Sequence, residues 1–285
     1  MNSVEYYLLD VFTDTLFSGN QLAVFMNANG LETTTMQAMA RELNLAETVF
    51  LNTPKAINHY PMRIFTATRE LPFAGHPTVG TAQLLARLGL VNREQTLILE
   101  PPVGELPIEY AGKKASFTTA RSASITPSTL DPSTAAALLG LQGHQVVGTP
   151  VVSSCGLAFH LIELGDPEAL QNVQISEAIW TEVVAPSGAE QIYLYVTGGV
   201  EGKAAMIRSR MFSREHGLCE DSATGSAVAA LSGYLATVSD DRRWTICQGV
   251  EMGRSSVIET AMNNERVQVG GNAVLVGKGE IYLHD

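Results

Sequence analysis

HPTVGTA at 76–82 can be laid on DSATGSA at 221–227 without a gap, sharing a glycine, a following hydroxyl residue and an alanine. The offset is 145 residues (221 minus 76). Upstream, AETVF at 46–50 pairs with AEQIY at 189–193, offset 143, and Gly19 before LAVF pairs with Gly156 before LAFHLI, offset 137. Three matches in one order at nearly equal spacing indicate an internal duplication. The 285 residues are therefore expected to form two similar domains, 1–118 and 119–285, rather than one.

Each half reads as short β-rich segments with turn residues between them, such as LAVFM, TVFL, MRIFT and TLILE in the first and IYLYV, AMIRSRMF and WTICQG in the second. The spacing predicts an amphipathic surface helix over Thr33–Leu43, capped by its threonines, with Met36, Met39 and Leu43 on one face. Asp131, Pro132 and Gly140 have the cap chemistry of a second helix. Two further helices, at 78–88 and 223–235, carry no charge except Arg87, and a helix apolar all round belongs inside. One such helix per half predicts an α+β fold: two pseudo-symmetric domains, each a curved, mostly antiparallel sheet wrapped around a central helix.

With 45% hydrophobic and 16% charged residues the chain can bury a substantial core. A net charge of −11, without a lysine or arginine cluster longer than a pair, excludes a nucleic-acid footprint. No apolar run approaches the roughly 20 residues of a membrane span, and the N-terminus lacks a basic segment and a cleavage site. Three cysteines without CxxC spacing suggest reduced thiols, no zinc and a cytoplasmic location.

The repeated segment is also the candidate site. Small residues at a helix start let a ligand reach backbone N–H groups that have no intrahelical partner, and the dipole there favours an anion. Two such starts facing each other would hold a small carboxylate, which makes Gly75, Gly225 and Ser226 candidate binding residues. The plain alternative is close helix packing. In the gap-free alignment His76 and Asp221 occupy equivalent positions, and a histidine and an acid brought together hold each other's protonation states. Glu220 has only Gly75 as its counterpart and is the weaker candidate. Glu47, among Leu45, Ala46, Val49 and Phe50, is either a surface acid at a turn or a desolvated carboxylate suited to accept and return a proton. Its copy Glu190 lies in the more polar SGAEQ and reads as structural. Asn20 in FSGNQLAVF is a turn residue or a hydrogen-bond donor to substrate.

Taken together, FSGNQLAVF, NLAETVFL, FTATRELPFAGHPTVGTA, RMFSREHGLCEDSATGSA, QGVEMGRSS and VQVGGNAVLVGKGEI, in this order over nearly the whole chain, resemble the PhzF-type phenazine biosynthesis family. The resemblance implies a diaminopimelate epimerase-like fold, with the last strand, around 273–283, returning to the first domain. It further implies an active site between the pseudo-symmetric halves, no metal or organic cofactor, and a homodimer. The family's best-studied activity is isomerisation of trans-2,3-dihydro-3-hydroxyanthranilate by one glutamate. Carried over by motif, that glutamate is Glu47, with His76 and Asp221 supporting and Gly225 and Ser226 near a substrate carboxylate. Ser222 and Gln21 stand where the family's motifs usually have proline. The expected activity is a cofactor-free isomerisation of a small anionic metabolite. A two-base racemase using Glu47 with Asp221, and a module that binds without chemistry, are the alternatives.

Overall fold

The structure is a computed structural model that describes residues 2–198, 206–214 and 217–283. The chain divides into two compact units, Met1–Thr118 with Gly270–Asp285, and Thr119–Val269.

In the first unit β1 (Asn2–Val11) is antiparallel to both β2 (Asn20–Phe25) and the C-terminal strand β18 (Ala273–Leu283). The second unit therefore ends at Val269, not at the C-terminus as the division 119–285 has it. The reason is visible in the pairing, which runs from Asn2 opposite Leu283 to Val11 opposite Ala273. Val4 of β1, with the partly buried Ile281 and Leu283 of β18, joins one apolar cluster.

β2 runs parallel to β3 (Glu47–Leu51), which is antiparallel to β4 (His59–Phe65). β4 takes β5 (Glu70–Leu71) antiparallel and β6 (Leu97–Glu100) parallel. The hairpin partners β7 (Leu106–Ala111) and β8 (Lys114–Thr118) follow.

Two helices cover these strands. Helix α1 spans Thr33–Leu43 and buries Met36, Met39 and Ala40 against Phe25, Phe50 and Phe65. Phe25 and Phe50 stack at 4.8 Å and Phe65 meets Phe50 edge-on at 5.4 Å, geometries that add to the burial itself. The threonines do not cap α1. Glu32 is the N-cap without a side-chain bond, and Thr33 Oγ1 accepts from Arg63 Nη1 at 3.1 Å instead. Helix α2, Gly75–Arg87, is buried at every position from Gly75 to Ala82.

The second unit repeats the pattern. β10 (Val146–Ser154) lies antiparallel to both β9 (Ser124–Pro127) and β11 (Ala158–Leu164), and β11 runs parallel to β12 (Ile192–Val196). β12 is antiparallel to β13 (Met206–Ser213), which takes β14 (Cys219–Asp221) antiparallel and β15 (Arg243–Gln248) parallel. β16 (Ser256–Asn263) then pairs with β15, and β17 (Arg266–Gly271) follows. The order of parallel and antiparallel pairings around β2, β3 and β4 recurs around β11, β12 and β13.

Helix α3 (Pro132–Leu139) has the expected Asp131 cap, bonded to the Ser133 and Thr134 N–H groups, and ends at Gly140 with positive φ. Helices α4 (Pro167–Gln171) and α5 (Glu177–Ile179), the latter continuing as irregular helical turns to Ser187, are too short to show a period in the sequence. Helix α6, Gly225–Val238, is the buried counterpart of α2.

Candidate active site

In the first unit Asn20 opens β2, Glu47 opens β3, and the parallel register places Leu22 beside Glu47, so both strand starts lie at one end of the sheet. Gly75 and His76 open α2. These elements bring the predicted residues together: His76 Nδ1 lies 3.4 Å from Asn20 Nδ2, and His76 Nε2 lies 3.2 Å from Glu47 Oε2. Asn20 is 3% exposed and the His76 side chain 4%, whereas Glu47 keeps 17%. The contact to Glu47 has ion-pair distance without hydrogen-bond alignment, and Nε2 otherwise has no partner. Catalytic contacts are commonly loose until a substrate closes them. Burial pushes the His76 pKa down to about 3, against a backbone hydrogen bond with Gln21 that raises it. The imidazole is therefore neutral at neutral pH.

In the second unit Asp221 ends β14, and Gly225 and Ser226 open α6. Thr224 is the N-cap, yet its hydroxyl does not cap the helix. It donates to Asp221 Oδ2 at 2.6 Å. Behind it Gln248, fully buried, donates from Nε2 to the Asp221 carbonyl at 2.8 Å and to Thr224 Oγ1 at 2.9 Å, and its Oε1 accepts from the Thr224 N–H at 3.3 Å. Tyr193 OH approaches the same Oε1 at 3.1 Å and Ser209 Oγ at 2.8 Å. Sequence reasoning missed Gln248 and Tyr193. The alternation along β15 buries Trp244, Ile246 and Gln248 on one face, so an inward glutamine was the available signal.

The structure corrects the alignment of the repeats. His76 is the second residue of α2, whereas Asp221 lies four residues before α6, so the two are not equivalent. Gly75 matches Gly225 as the first helical residue, and His76 matches Ser226. The cause is a difference of five residues in where the helix begins within each motif, which a gap-free alignment cannot show. Gly80, aligned with Gly225, is a packing glycine. A Cβ there would lie 2.5 Å from Leu22 Cδ2 and 2.7 Å from Val11 Cγ2.

Glu190 is exposed. Glu220 holds Arg210 through two bonds of 2.9 and 2.7 Å, and the guanidinium also covers the Phe212 ring. Cys219 is exposed beside Ser213 Oγ at 3.3 Å. Among the described residues no group of three or more His, Cys, Asp or Glu is placed to hold a metal ion, and no helix is long and apolar enough to cross a membrane.

Two α+β repeats, each a mostly antiparallel sheet with a buried helix, define the diaminopimelate epimerase-like fold class, and comparison with known proteins refines this. The family model described as "Phenazine biosynthesis-like protein" (PhzC-PhzF) matches residues 9–279, and the chain belongs to that family. An uncharacterized isomerase of Mesorhizobium japonicum is 34% identical, over 99% of this chain and 100% of its own. The trans-2,3-dihydro-3-hydroxyanthranilate isomerase of Pseudomonas chlororaphis is 32% identical, over 98% and 99% respectively. A PhzF-family protein of Bacillus anthracis superposes with a TM-score of 0.89 over 99% of this chain and 100% of its own, at 22% identity, a likeness of fold. Membership of this family makes the chain an isomerase.

Proposed function

We propose that the protein is a cofactor-independent isomerase in which Glu47 moves a proton between two carbons of a small carboxylate-bearing metabolite. The observation that carries this is the placement of the Glu47 carboxylate 3.2 Å from a buried, neutral His76. The Glu47 carboxylate takes a proton from one carbon, leaving the electron pair delocalised over the adjoining unsaturated system. The resulting carboxylic acid returns the same proton to a second carbon, so the double bond shifts and no charge is gained or lost. His76 cannot readily compete for that proton, because burial opposes the imidazolium. The ring turns Nε2 toward the Glu47 carboxylate and Nδ1 toward the Asn20 amide. Asn20 thereby orients the ring, and Gly75 is assigned to substrate binding at the start of α2.

For Gly225 and Ser226 we assign the binding of a carboxylate through their backbone N–H groups at the start of α6, and for Asp221 an accessory polar role. The compound named for the Pseudomonas chlororaphis relative, trans-2,3-dihydro-3-hydroxyanthranilate, is the first substrate to try. Turnover in deuterated water tests the reading. Relocation of a double bond supports it, and inversion with deuterium incorporated at one stereocentre would replace it with a two-base racemase.

A further inference from the structure

We infer that Gln248 is a positioning residue that sets the direction of the Thr224 hydroxyl and, through it, the orientation of the Asp221 carboxylate. The inference rests on the reading of Asp221 as part of the site. Gln248 Nε2 donates to Thr224 Oγ1 at 2.9 Å, so one lone pair of that oxygen is occupied and its single proton is left for Asp221 Oδ2 at 2.6 Å. The amide cannot reverse without loss. Its Oε1 accepts from the Thr224 N–H at 3.3 Å and faces the Tyr193 hydroxyl at 3.1 Å, while Nε2 also donates to the Asp221 carbonyl at 2.8 Å.

A turned amide would set Nε2 against the Thr224 N–H and Oε1 against a carbonyl oxygen, two repulsive contacts in a fully buried place. A fold needing only a filled cavity here would be served by methionine. A glutamine bonded to both ends of the segment 221–224 ties the last residue of β14 to the cap of α6. Ser256 Oγ reinforces the same segment by donating to the Ser222 carbonyl at 2.9 Å.

The test uses Gln248→Met, Thr224→Val and Thr224→Ser in the full chain. Hydrogen–deuterium exchange reads the order of 221–228 against that of 231–238 in the same helix. With Gln248→Met, exchange at 221–228 is expected to rise at least about tenfold while 231–238 keeps its protection. On trans-2,3-dihydro-3-hydroxyanthranilate, kcat of Gln248→Met and Thr224→Val is expected to fall on the order of tenfold to a hundredfold, the scale of a small misplacement of a reacting geometry. Thr224→Ser, which keeps the hydroxyl, is expected to retain wild-type kcat. Uniform or unchanged exchange in Gln248→Met, or a Thr224→Val enzyme with full kcat, overturns the inference. Failure of the wild-type protein to turn over that compound bears on the proposed function alone, because the exchange measurement needs no substrate.

Discussion

His76 Nε2 faces Glu47 Oε2 across 3.2 Å, a histidine held inside the first unit against a carboxylate that retains a path to solvent. In the proposed reaction that inequality leaves the proton to Glu47, because burial opposes the imidazolium of His76. Glu47→Gln keeps the shape of the side chain and one acceptor oxygen but removes the proposed base. The variant should show an unchanged melting temperature and a turnover reduced at least about a hundredfold, within the span of general acid–base catalysis. Unchanged turnover on a substrate that the wild type converts would remove Glu47 from the chemistry.

Acid sensitivity should follow two buried histidines. The pKa of His76 is pushed down by burial to about 3 and that of His160 to about 4, the latter ring being clamped between Ser128 Oγ at 2.7 Å and Ser187 Oγ at 2.9 Å. In the unfolded chain both titrate near 6.5. Above that pH their contribution to stability is complete. Below it the unfolded chain binds protons that the folded one refuses, and stability falls by about 1.4 kcal/mol per pH unit for each histidine until the folded pKa is reached. Urea unfolding at pH 7 and pH 5 should therefore differ by about 3 kcal/mol or more, with a shallower dependence in His160→Gln. A flat profile between these values would contradict the burial assigned to both rings.

Gly80→Ala tests the packing of α2 on β1 and β2. The added methyl meets Leu22 and Val11, both fully buried, at less than 3 Å, so the helix must shift or the side chains leave their rotamers. A loss of about 1–3 kcal/mol is expected, measured by denaturant unfolding. Full stability would mean that the helix has room to move.

Gly249→Ala should be worse. The residue has φ of +75°, and a Cβ would lie 2.6 Å from the carbonyl oxygens of both Arg254 and Ser222. These are backbone atoms, which cannot rotate away. A loss of about 3 kcal/mol is expected, with the order of 221–224 lost first, detectable by hydrogen exchange.

Phe17 offers the opposite sign. It is 69% exposed and has φ of 67°, with its N–H bonded to the buried Asp10 carboxylate at 2.7 Å. Phe17→Gly should therefore be more stable than Phe17→Ala by about 1 kcal/mol, the relief of a left-handed conformation that only glycine adopts freely. Equal melting temperatures for the two variants would show that the loop is not held in that conformation in solution.

The duplication, the two buried helices and the strands around them were legible because each leaves a local mark: a glycine before LAVF and again before LAFHLI, apolar stretches at 78–88 and 223–235, alternation ended by turns. Glu47, His76 and Asn20 could be singled out as polar residues in apolar settings, and the structure gathers them. The register of the repeats could not be read. Pro77 and the five-residue difference in helix start hide the match of His76 with Ser226 under an apparently better one with Asp221. Gln248 and Tyr193 were unread for another reason. Their importance lies in what they bond across the fold, at separations of 24 residues for Gln248 to Thr224 and 55 for Tyr193 to Gln248, and no local pattern encodes that.

The pairing of β18 with β1 makes the first unit discontinuous along the chain, while the second is a single uninterrupted stretch. During synthesis Thr119–Val269 leaves the ribosome whole and is free to condense at once. The earlier-made half must wait, with β1 paired to β2 alone, until the final strand emerges. The unit that carries Glu47 and His76 is thus the last to be completed, so a ribosome stalled before residue 273 releases a chain whose β1 keeps an open edge.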